Sequence, residues 1–170
     1  MEIEKVICGR ALVNGELTYT EVGINDGRIV AVGKMVRGGD ERVELGTSDV
    51  LLPGFIDPHV HFRDPGFTHK EDILTGAEAA KKGGYTGIVL MANTNPAVDN
   101  EETLDYVLSK GRQTGIRIET CANVTKGLKG LEMVEMETLA AKGAAGFTDD
   151  GVPIMEASVL EEALLAAKRL

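Results

Sequence analysis

With 170 residues and 43% hydrophobic content, the chain is long enough for an ordinary domain with a real core, which argues against disorder. A formal charge of −9, with 18 basic residues and no Lys/Arg run, argues against a nucleic-acid surface and for small molecules or proteins as partners. The opening Met-Glu-Ile-Glu-Lys-Val is acidic where a secretory signal is basic, and no apolar run approaches the ~20 residues of a membrane span, so a cytoplasmic location is expected.

From Met1 to about Val50 the chain is rich in β-type runs broken by turn pairs. Glu2 to Cys8, Glu16 to Ile24, Arg28 to Val32 and Arg42 to Leu45 are the expected strands, with Asn14-Gly15, Asp26-Gly27 and Gly38-Gly39 between them. Residues 1–50 therefore form a small all-β portion. Cys8 and Cys121 are far apart and outside any Cys-x-x-Cys pair, so two reduced thiols are expected, with neither a disulfide framework nor a cysteine zinc site.

At Leu51-Leu52-Pro53-Gly54 the pattern changes. Phe55 to His61 reads as a strand, and Pro53 to Gly66 carries Asp57, His59, His61 and Arg63 at every second position. Period-two geometry points all four side chains to one face. Two imidazoles, a carboxylate and a guanidinium in one small volume are costly to bury without partners or a metal, so this stretch reads as a site.

Lys70 to Lys82 then reads as a helix, Thr86 to Met91 as an apolar strand, and Glu101 to Arg112 as a helix capped by Asn100. Ile116 to Asn123 is an expected third strand, Leu131 to Lys142 a helix ending at Gly143, Ala144 to Phe147 a short fourth strand, and Glu156 to Leu170 a last helix. Four successive βα units with apolar strands argue for a parallel α/β sheet over residues 51–170. The glycine fingerprint of a dinucleotide-binding sheet is missing after the first strand. Polar residues gather instead after strand ends: His61 and Arg63, Asn93 to Asn95, Asn123, and Asp149 with Asp150. A (βα)8 barrel keeps its active site there, but such a barrel usually needs ~250 residues, so the first four βα units, half a barrel, are expected.

Pro-Gly-Phe-Ile-Asp-Pro-His-Val-His followed by Phe-Arg-Asp-Pro-Gly resembles the metal-dependent amidohydrolases, and among them the bacterial dihydroorotases that use an aspartate at the metal. The resemblance continues through Lys70-Glu-Asp, Gly83-Gly84 with Thr86, Met91-Ala-Asn-Thr-Asn-Pro96 and Phe147-Thr-Asp-Asp-Gly151. Ala92 stands where the family usually has proline, a change that bears on loop stiffness more than on chemistry. The resemblance implies that residues 1–50 are a portion of a small β-sandwich domain and residues 51–170 the first half of the barrel. It implies Zn2+ held by His59, His61 and Asp150, and a substrate carboxylate bound by Arg63 and Asn93, with help from His61.

The implied reaction is reversible hydrolysis of the cyclic amide of dihydroorotate to N-carbamoyl-L-aspartate, in pyrimidine biosynthesis. In the family the general base is an aspartate after the eighth strand, and further metal histidines follow the fifth and sixth; none lies within these 170 residues. The chain alone is therefore expected to be inactive, or to act as a metal- and carboxylate-binding fragment. A scaffold that associates with aspartate transcarbamoylase, a homo-oligomer, and a hydantoinase or allantoinase are the other expectations. Asp149-Asp150-Gly151 also suits a surface turn, Asn93-Thr-Asn-Pro another, and Arg63 has Asp64 beside it as a partner. His69 fits no ligand spacing.

Overall fold

Asn14 and Gly15 both take positive φ, 52° and 85°, and so form the tight turn that joins β1 (Lys5–Val13) to β2 (Glu16–Asn25). A two-residue turn leaves no slack, so β1 runs up to it, and Val13 pairs with Glu16 in an antiparallel ladder that reaches back to Lys5 opposite Ile24. This is why the first strand lies later than the expected Glu2 to Cys8. Asp26 and Gly27, at φ 46° and 65°, repeat the device between β2 and β3 (Arg28–Gly33). The computed structural model describes residues 2–170, which divide into two units, one up to Pro53 and one from Gly54 to Leu170.

The first unit is one four-stranded sheet in the order β3-β2-β1-β4, where β4 (Glu41–Glu44) pairs parallel with β1. Val6, Cys8 and Val36 form its buried cluster. Glu21 is tied in twice, accepting from the Val36 amide at 2.8 Å and pairing with Arg42 at 2.9 Å. Those two bonds, the Val36 amide first, hold the Glu21 carboxyl below its ordinary range. Arg42 also lies 3.1 Å from the Cys8 sulfur, and burial pushes that thiol up. A largely apolar cavity of about 390 Å³ is lined by Ile7, Val22, Ile24, Leu51 and neighbours, while Ile29 and Val32 beside it stay exposed.

The second unit is mixed α/β. Its sheet has the order β5-β6-β7, all parallel: β5 (Phe55–Val60), β6 (Tyr85–Leu90) and β7 (Arg117–Thr120). The expected fourth strand is not one. Residues 144–148 run beside β7 through Ala145 N to Thr120 O, Ala122 N to Gly146 O and Thr148 N to Ala122 O, each 2.9 Å, yet only the Ala122–Phe147 bridge qualifies as β pairing.

The first helix starts later than its hydrophobic pattern suggests, because a side-chain cap decides where it begins. Asp72 accepts from the Leu74 and Thr75 amides at 2.8 and 3.1 Å and starts α1 at Ile73 (Ile73–Lys82). Asn100 accepts from Thr103 N at 3.0 Å and starts α2 (Glu101–Gly111), as its sequence position suggested. Before α3 (Met136–Lys142), residues 124–134 fold back on themselves through Val134 N to Val124 O and Lys126 N to Glu132 O, so Leu131 lies outside the helix. Gly143, at φ 105°, ends α3 with the left-handed residue that favours glycine. The last helix is α4 (Ala157–Ala167). Ile73, Ile88, Leu90, Leu104, Met136 and Leu139 are central to the core of this unit. Among the described residues no helix is long and apolar enough to cross a membrane.

Candidate metal centre

The alternation read from Pro53 to Gly66 holds for only part of its length. β5 pairs only with β6, which leaves room for Pro58 and its missing amide, and the pairing is irregular between Asp57 and Val60. Asp57 turns back on its own strand, accepting from His59 N at 3.1 Å. Beyond Val60 the extended geometry ends, and Arg63 takes φ 60°, so a period of two no longer sets its direction. Of the four residues expected on one face, the structure brings His59 and His61 together, with ring centres 5.2 Å apart and the rings edge to face.

Asp150 joins them from the loop after residues 144–148. Its Oδ1 lies 3.7 Å from His59 Nε2 and its Oδ2 3.3 Å from His61 Nε2, and the ligand atoms of the three residues all fall within 4.8 Å of one another. Tetrahedral ligands at 2.0–2.1 Å from one ion stand about 3.3 Å apart, so the donors and their spacing suit a metal ion. A charge-assisted hydrogen bond would draw the atoms closer, to about 2.7–2.9 Å. The side chains of His61 and Asp150 are 27% and 28% exposed, which leaves the cluster open to solutes.

Asn93, just after β6, is the fourth member. Its Oδ1 lies 2.9 Å from His61 Nδ1, and its Nδ2 donates to the Asp150 carbonyl and to Asp150 Oδ2, each at 3.2 Å. Asp149 has the opposite fate. Its Oδ1 accepts from the Val124 and Thr125 amides at 2.8 and 3.2 Å, and its Oδ2 takes the Thr125 hydroxyl. One carboxylate of the pair thus organises the loop after β7 while its neighbour faces the histidines. Asn123, fully buried, donates to the Thr148 carbonyl at 3.2 Å and leaves its Oδ1 without a partner among the described residues.

Arg63 does not pair with Asp64. The Asp64 side chain is completely buried and committed to Lys110 Nζ at 2.5 Å, Tyr106 Oη at 2.9 Å and the Ile73 amide at 3.2 Å. Burial pulls the Lys110 amine down, but the Asp64 contact outweighs it and leaves the amine above its ordinary value. Burial and the same carboxylate raise the Tyr106 hydroxyl. This clamp, which ties the Arg63 loop to α1 and α2, was not expected from sequence; the one available signal is Tyr106 and Lys110 at i,i+4 on α2. His69 is exposed and outside the cluster.

Solved amidohydrolases share this fold. The structure superimposes on an L-hydantoinase (dihydropyrimidinase) from Arthrobacter aurescens with a TM-score of 0.82 at 18% identity, covering 98% of this chain and 39% of that one. A dihydropyrimidinase from Brevibacillus agri gives 0.75 at 25% identity, covering 98% and 38%. Sequence narrows the class. The family model described as Dihydro-orotase-like matches residues 48–170, and the chain belongs to that family. Among curated relatives, the dihydroorotase of Clostridioides difficile is 46% identical over 148 residues, 86% of this chain and 35% of that protein. The dihydroorotase of Clostridium acetobutylicum is 50% identical over 135 residues, 78% and 32% respectively. The chain spans about a third of the length of these relatives.

Proposed function

We propose that this chain supplies the first part of a dihydroorotase: residues 1–50 as a portion of a β-sandwich domain, and residues 51–170 as the first four βα units of a metal-dependent hydrolase barrel. His59, His61 and Asp150 hold Zn2+, and Arg63 and Asn93, with His61 beside them, receive the carboxylate of dihydroorotate or N-carbamoyl-L-aspartate. The convergence of His59 and His61, at the end of β5, with Asp150, from the loop after residues 144–148, in a chain 50% identical over 135 residues to a dihydroorotase, carries this reading.

The reaction adds water across the ring amide. The C–N bond breaks, the carbonyl carbon keeps the water oxygen as a carboxylate, and the nitrogen leaves with a proton as the carbamoyl amide. Zn2+, when bound by such a donor set, acidifies water and polarises an amide carbonyl. The protein's own residues supply position. Arg63 offers a planar fork that fits a carboxylate with two parallel hydrogen bonds, and its backbone is anchored by Asp64 next to it. The amide nitrogen of Asn93, which donates to Asp150 in this structure, would turn one N–H to the carboxylate when substrate binds, and the half-exposed His59 edge leaves a way in.

The test is a chimera in which this chain replaces the matching N-terminal segment of the Clostridium acetobutylicum dihydroorotase. The chimera should open dihydroorotate with Zn2+ present, while the 170-residue chain alone should turn over little. Arg63→Ala in the chimera should lower kcat/KM at least about 100-fold, the scale of a lost charge-assisted pair. An unchanged kcat/KM would refute the assignment.

A further inference from the structure

We propose that Asn93 is a positioning residue that locks His61 in the tautomer protonated at Nδ1, so that its bare Nε2 faces the slot shared with Asp150. The argument is one of polarity, followed atom by atom. Asn93 Nδ2 sits 3.2 Å from both the carbonyl and the carboxylate Oδ2 of Asp150. With Asp150 ionised both of those oxygens only accept, so the amide cannot be reversed without setting its own oxygen against two others. Asn93 Oδ1 must therefore be the atom 2.9 Å from His61 Nδ1, and an acceptor there requires that Nδ1 carry the proton.

The remaining ring nitrogen follows from this. Nε2 of the neutral ring holds a lone pair and faces Asp150 Oδ2, also an acceptor, at 3.3 Å. Two acceptors at that distance repel unless a positive centre lies between them. Asn93 thus does two things at once. It fixes which nitrogen of His61 faces the slot, and it ties Asp150 to the same unit by backbone and side chain together. A ligand histidine usually donates its second N–H to a carbonyl or carboxylate, and loss of such a partner costs 10–100-fold in metal affinity. Here that partner is a side-chain amide which also holds the carboxylate ligand. Among the described residues His59 has no such tie, and it is the more exposed ring, at 56%.

The inference rests on the reading of His59, His61 and Asp150 as metal ligands, but its central claim is readable without metal. In the metal-free, 15N-labelled chain at mildly alkaline pH, long-range 1H–15N correlations report the tautomer of each of the three histidines. His61 should appear protonated at Nδ1. In Asn93→Ala it should shift toward the Nε2–H form, with His59 unchanged, and Zn2+ affinity measured against a chromophoric chelator should fall about 10–100-fold. A wild-type His61 protonated at Nε2, or an Nδ1–H signal that survives Asn93→Ala, overturns the proposal. A locked tautomer in a chain that never binds Zn2+ upholds the positioning role and sinks the zinc reading instead.

Discussion

The two units of this protein both bury charged side chains, yet they do so to different ends. In the first, Glu21 is saturated: one oxygen meets Arg42, the other the Val36 amide, and nothing in that network points outward for a ligand. The second unit contains one network of the same closed kind and one that is open. Asp64, with Lys110, Tyr106 and the Ile73 amide around it, has every strong partner it needs. His59, His61 and Asp150 do not, for their facing atoms stand 3.3 and 3.7 Å apart and one of the three, His59, is exposed. Closed networks hold a fold together, because a buried charge without its partner is expensive. Open ones mark where a ligand supplies the missing partner.

That contrast is breakable by mutation. The largest effect should come from Asp64→Ala, which strands a largely buried Lys110 amine and removes the tie between the Arg63 loop and both helices. A loss of about 3 kcal/mol in urea unfolding of the second unit is expected. A loss under about 1 kcal/mol would mean the clamp is not structural. Asp150→Ala should behave in the opposite way. Zn2+ affinity should drop at least about 100-fold, while stability without metal changes by less than about 1 kcal/mol, since the mutation relieves facing acceptors instead of breaking a satisfied pair. Equal Zn2+ affinity in wild type and Asp150→Ala would remove Asp150 from the site.

The smallest effect concerns acid. The Val36 amide and then Arg42 hold Glu21 below the usual glutamate range in the folded unit. Its contribution to stability is therefore complete above the ordinary glutamate value and disappears as pH falls through the lowered one. Followed by NMR, the Val36 amide should titrate at that lowered pH, and Glu21→Gln should abolish the step. A Val36 shift that follows an ordinary glutamate curve would show the network to be weaker than its geometry.

Much of the fold was legible because local signals agreed. Asn-Gly and Asp-Gly turns set both hairpins of the first unit, the apolar runs marked β5, β6 and β7, and Asn100 announced the start of α2. Where reading failed, a longer-range interaction had overruled a local pattern. Leu131 continues an apolar period toward α3, yet residues 124–134 satisfy their backbone among themselves, and the helix waits until Met136. Ala144 to Phe147 has strand composition, but its bonds to β7 are too few to extend the ladder.

The candidate site divides along the same line. Sequence alone determined that His59 and His61 share a face, since alternation in a strand is a local property that needs no knowledge of the rest of the chain. It also offered Asp149 and Asp150 as a pair of carboxylates, of which the family resemblance singled out Asp150. Only the tertiary structure decided which of the two organises a backbone loop and which meets the histidines, that Arg63 leaves the alternation at a positive φ, and that Asn93 bridges His61 to Asp150. The Asn93 bridge joins atoms 57 and 32 residues apart in sequence, brought together by the tertiary fold and not by any pattern within one strand.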